Sequence, residues 1–82
     1  MILPMSRNMS LMILEALAAK YEADMQRLQV NINNYFSNAV GVAEHPDIVE
    51  EVDKLIEQVA TAEEKLKIVN EIYEVEKGNL DV

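Results

Sequence analysis

Two heptad seams run along this chain, joined by a short connector that holds one of its two glycines and one of its two prolines. In the first, Leu11, Leu14, Ala18, Tyr21, Met25, Leu28, Ile32, Tyr35 and Ala39 recur at alternating steps of three and four. In the second, Ile48, Val52, Leu55, Val59, Ala62, Leu66, Val69 and Tyr73 do the same. On an α-helix that spacing gathers each set on one stripe. An apolar stripe sustained over several heptads needs another helix to cover it. The expected fold is therefore all-α: an antiparallel two-helix hairpin, coiled-coil-like, in one domain.

The expected bounds are helix 1 over about 8–39, a loop over about 40–45, helix 2 over about 46–77 and a loose tail over 78–82. Ser6, Asn8 and Ser10 all offer oxygens for the first N-cap. Asn31, Asn33, Asn34 and Asn38 compete for local backbone hydrogen bonds, so the end of helix 1 is expected to fray. They read as a polar last turn rather than a recognition patch. Gly41 suits a left-handed helix ending, with Val42 folding back on Phe36. Pro46 suits the first position of helix 2; alternatively Asp47 and Glu50 form a capping box one residue later. Gly78 is expected to stop that helix.

Each helix of roughly 30 residues is about 45 Å long, and a short connector permits only an antiparallel return. Centring the turn near Val42 and Ala43 pairs Ala39 with Ile48, Tyr35 with Val52, Ile32 with Leu55 and Leu28 with Val59. The layers continue as Met25 with Ala62, Tyr21 with Leu66, Ala18 with Val69 and Leu14 with Tyr73. Large residues meet smaller ones in most of them, as close packing requires.

A single hairpin of 82 residues has little interior, and chains of this size usually need reinforcement. No cysteine is present to form a disulfide, and a lone histidine, His45, makes structural zinc improbable. Association with other chains remains. Apolar residues beside the seams point the same way. Phe36, Val49 and Ile56 lie near the loop; Met9, Met12, Ile13, Leu17, Ile68, Ile72 and Val75 lie at the open end. These ten are the expected oligomer interface of a homodimer forming a four-helix bundle, with a larger symmetric bundle as the alternative.

The net charge of −8 is unevenly placed. Residues 1–43 carry three basic and three acidic side chains, whereas residues 44–82 carry four basic and twelve acidic ones. Such a surface repels phosphate backbones and anionic lipid, so neither direct nucleic-acid nor membrane binding is expected. Met1 to Pro4 lacks a basic flank, and the apolar stretch from Leu11 to Ala19 is broken by Glu15, too short to span a bilayer. A soluble cytoplasmic protein is the expectation.

On helix 2, Glu50, Glu57, Glu64 and Glu71 recur every seven residues at the position farthest from the seam. They read first as a solvated face. The alternative is an acidic ridge that mimics a phosphate backbone and blocks a nucleic-acid-binding protein, although its step of about 10.5 Å exceeds phosphate spacing and Lys54 and Lys67 interrupt it. His45, beside Glu44 and Asp47, reads as a loop or cap residue, since helical di-metal sites need inward Glu-x-x-His pairs that are missing here. Tyr21, Tyr35 and Tyr73 lie on seams and read as core. No nucleophile–base arrangement, paired inward carboxylates or phosphate loop appears, so neither catalytic residues, cofactor nor metal is expected. The expected function is a non-enzymatic helical assembly or protein-interaction module.

The run NNYFSNAVGVAEHPDIVEEVDKLI, continued by EEKLKIVNEIYEVEKG, resembles small uncharacterised helical-hairpin proteins of tailed marine bacteriophages over residues 31–78. That resemblance implies an accessory or assembly role in a host cytoplasm, and it carries over no functional residue.

Overall fold

A computed structural model describes residues 8–38 and 47–80. They form two helices, α1 (Met9–Ser37) and α2 (Ile48–Leu80), which pack against each other along their lengths. Among the described residues there is no strand. Ten residues separate the helices; fully extended they reach at most about 36 Å, less than the roughly 44 Å length of α1. A parallel return is therefore out of reach. The Lys65 ammonium lies 5.7 Å from the centroid of the Tyr21 ring, one residue from the expected Tyr21–Leu66 layer, so the antiparallel register agrees with the spacing of the seams.

Every described seam residue is buried or half-buried, while most of the remaining positions are exposed. Leu28 sits deepest at 1% exposure, joined by Leu14, Ala62 and Val69 as the buried apolar core. These four lie on facing stripes, so the interior is a line of side chains between two helices and not a volume enclosed by several. The seam layer of Ala39 with Ile48 falls outside the described residues.

The ends of the helices follow from local chemistry. Asn8 is the cap of α1: its side-chain oxygen accepts from the Ser10 amide at 2.7 Å and the Leu11 amide at 3.3 Å, and its carbonyl accepts from Met12. Two of the free amides of the first turn are satisfied in this way. At the other end Asn38 is the C-cap of α1. The Asn34 carbonyl accepts both the Asn38 amide, at 3.1 Å, and the Asn38 Nδ2, at 2.9 Å. The helix holds to Ser37, two residues short of the expected end. The expected roles of Ser6, Gly41, Val42, Glu44, His45 and Pro46 lie outside the described residues.

Helix α2 starts at Ile48, with the Asp47 carbonyl accepting from the Glu51 amide at 3.0 Å. Asp47 thus stands at the cap position, as in the later of the two expected starts. Glu50 and Glu51 lie in the first turn and Lys77 in the last, the arrangement that opposes the helix dipole.

The expected stop at Gly78 is overturned, because α2 continues through it to Leu80. A glycine ends a helix by entering the left-handed region, and among the described residues no glycine has positive φ. Gly78 is simply a helical residue without a side chain, and a Cβ added there meets nothing within 4 Å. Gly78→Ala is accordingly expected to stabilise the chain by about 0.5 to 1 kcal/mol. A urea midpoint that rises with unchanged slope is the expected readout; a lower midpoint would restore the role of a stop.

Candidate interaction surface

The molecule measures 60 × 28 × 13 Å, a slab about one helix thick. Among the described residues each helix has one neighbour, and two broad faces are left open. A groove of about 230 Å³ defines the first face. It is lined by Lys20, Asp24 and Arg27 from α1 and by Glu57, Gln58, Thr61 and Lys65 from α2, with Tyr21, Leu28 and Ala62 of the seam at its base. Residues a heptad apart share a face. Ile13 and Leu17, one heptad before Lys20 and Asp24, therefore belong to this face. So do Ile68 and Ile72, one heptad after Thr61 and Lys65, and Val75 a heptad further on. In the antiparallel register all five come together at the open end of the hairpin.

The opposite face is marked by a groove along α2 lined by Glu63, Leu66, Lys67, Asn70, Glu71 and Glu74. Val49 and Ile56 precede Glu63 by two heptads and one. Phe36 lies on the corresponding flank of α1, so these three gather at the loop end. Eight of the ten expected interface residues thus form two patches, on opposite faces and at opposite ends, while Met9 lies on the outer edge of α1 and Met12 on the second face at the open end.

Eight of the ten, namely Met9, Ile13, Phe36, Val49, Ile56, Ile68, Ile72 and Val75, are between 45% and 74% exposed. Met12 and Leu17 are half-buried; Leu17 lies on the flank that leans towards α2, so the hairpin covers part of it. Sequence reasoning missed Val30, which is 58% exposed. It stands on the outer edge of α1 with Met9, Ala16 and Ala23, one heptad apart, where a search of the seam flanks does not reach.

Charge separates the two faces. The face with the open-end patch carries Lys20, Arg27, Lys54 and Lys65 against Asp24, Asp47, Glu51 and Glu57, in balance. Its charges interlock: Lys20 lies 3.1 Å and Arg27 3.9 Å from the Asp24 carboxylate, and Lys54 lies 3.7 Å from Glu51. Lys20 and Lys65 also approach the Tyr21 ring, at 5.5 and 5.7 Å from its centroid. All these pairs are exposed enough that each contributes little to stability. The loop-end face carries Glu15, Glu22, Asp53, Glu63 and Glu74 against Lys67 and Lys77, a clear acidic excess. Along the outer edge of α2, Glu50, Glu57, Glu64 and Glu71 are all exposed.

Tyr21, Tyr35 and Tyr73 are half-buried on the seam. Among the described residues no group of three or more His, Asp or Glu side chains gathers to hold a metal ion, and no helix is long and apolar enough to cross a membrane. No family model, curated protein or solved structure matches the chain.

Proposed function

We infer that this chain is a helical assembly module, a hairpin that supplies two helices to a larger bundle and acts through protein–protein contact without catalysis. The observation that carries this reading is a slab one helix thick with large apolar side chains exposed on both faces. Water-exposed aliphatic surface on helices already paired along one seam is what a further layer of helices buries. Self-association into a homodimer is the simplest such layer.

Mass action supplies the test. If association contributes to stability, the thermal midpoint rises with protein concentration, by several degrees over a hundredfold range. A midpoint independent of concentration would contradict the reading.

The exposed row of Glu50, Glu57, Glu64 and Glu71 favours a second reading, an acidic regulator that occupies the basic groove of a nucleic-acid-binding protein. Salt distinguishes the two. Association through apolar surface tolerates high ionic strength, whereas binding through the ridge is lost as salt rises and is abolished by Glu57→Lys with Glu64→Lys.

A further inference from the structure

We propose that the second broad face, which carries Phe36, Val49 and Ile56 at the loop end, seats a helix of a different protein, one whose apolar stripe is flanked by lysine and arginine. This rests on the reading of the hairpin as an assembly module and names the chemistry of a partner.

The shape of the face selects a helix. Among the described residues the hairpin has no strand edge, so an extended chain laid on it finds no free backbone groups to pair with, whereas a helix brings its own hydrogen bonds already made. Between Val49 and Glu74 the face runs about 37 Å, with the half-buried Val52, Val59 and Leu66 of the seam along its floor. Phe36, Val49 and Ile56, each more than half exposed, form an apolar anchor at one end. A groove of about 640 Å³ with Leu66 at its base continues the surface towards the other, and it is larger than the one on the first face.

Charge selects the partner. On the first face Asp24 pairs with Lys20 and Arg27, and Glu51 with Lys54. On the second, no ion pair among the described residues engages Glu22, Asp53, Glu63 or Glu74, and all four are exposed. Asp53 stands between Val49 and Ile56, and Glu63 and Glu74 wall the groove, so carboxylates border the apolar surface at both ends. A partner that covers the apolar residues brings its flanks against those carboxylates, and cationic flanks are the ones that gain from it. A second copy does not meet this need. The sequence holds 7 basic side chains against 15 acidic ones, and among the described residues neither broad face nor the outer edge of α2 has a positive excess. The occupant is accordingly a different protein.

The probe is a fluorescein-labelled peptide of about 20 residues, long enough to form a helix, with leucine at alternating steps of three and four and lysine elsewhere. Its twin has glutamate in place of lysine. Anisotropy is followed as the intact protein is titrated in at physiological ionic strength, where charges more than about 8 Å apart are screened. The lysine peptide is expected to bind and the glutamate peptide not. Glu63→Lys with Glu74→Lys is expected to weaken binding about tenfold, and Ile56→Ser by about as much, each variant keeping the far-UV circular dichroism of the parent. Glu57→Lys with Glu64→Lys changes the net charge equally but lies off this face, and is expected to alter affinity by no more than about twofold. Equal or greater weakening by that second pair would trace the attraction to net charge or to the α2 edge and overturn the proposal. So would full affinity in Ile56→Ser, binding of the glutamate peptide, or binding of neither. In any of those cases a free chain that sediments as a multimer leaves the assembly reading standing, and one that sediments as a monomer at every concentration overturns both.

Discussion

Truncation of Leu28 to alanine is expected to destabilise the protein by about 3 to 5 kcal/mol, the upper part of the range for a buried leucine. Leu28 is the one fully buried large side chain among the described residues, at 1% exposure. It sits at mid-length in a core that is one side chain deep. The cost of such a truncation grows with the cavity it leaves, and neighbours held on two stiff helices have little freedom to close it. Val30, two residues on and 58% exposed, is the control. Val30→Ala is expected to change stability by no more than about 0.5 kcal/mol, as surface substitutions usually do. Denaturation of both variants at one fixed protein concentration gives the comparison. Equal losses at the two positions would show that the helix does not turn its 28 side inward.

The second large effect is expected at Val69, which is 7% exposed on the seam of α2 and whose expected partner layer is Ala18. Val69→Asp places a carboxylate on the line of contact between the helices, where no basic side chain belongs to the facing stripe. An unpaired charge held away from water costs at least about 3 kcal/mol. The hairpin is expected to lose most of its helical signal at neutral pH. The same change at Asn70, an exposed position one residue further along α2, is expected to leave that signal nearly intact. Comparable damage at both sites would contradict the assignment of the seam face.

The hairpin itself was legible in the sequence because a 3,4 spacing is a geometric statement: residues so placed share a stripe, and equal helices on a short connector can only fold back. Lys65 over the ring of the half-buried Tyr21 agrees with the pairing obtained by counting outward from the connector. End positions were less legible. Asn8, Ser6 and Ser10 are chemically similar caps, and only the geometry of the Ser10 and Leu11 amides distinguishes Asn8. Gly78 illustrates the weakness of reading a stop from composition, since glycine permits a left-handed turn without requiring one. At the end of α1 the asparagine cluster marked a polar last turn, and Asn38 caps it, bonded to the Asn34 carbonyl.

The candidate surface was legible in part. Flank residues such as Ile68 and Ile72 stand out beside a seam that has no need of them, and they are exposed. What periodicity does not convey is which flanks share a broad face. That depends on the antiparallel pairing, and the groove between Asp24 and Thr61 makes it visible. The separation of charge between the two faces follows from the same assignment and is hidden in a net charge of −8. Val30 went unnoticed because it lies on the outer edge of α1, remote from every seam position.

Sedimentation equilibrium of the intact chain across a wide concentration range tests the central claim most directly, since a one-helix-thick slab with this much exposed aliphatic surface is held to be half of a bundle. The expected result is a mass of twice 9.3 kDa at tens of micromolar, falling towards the single-chain value on dilution. A mass of 9.3 kDa at every concentration, in a chain that is fully helical, would contradict it.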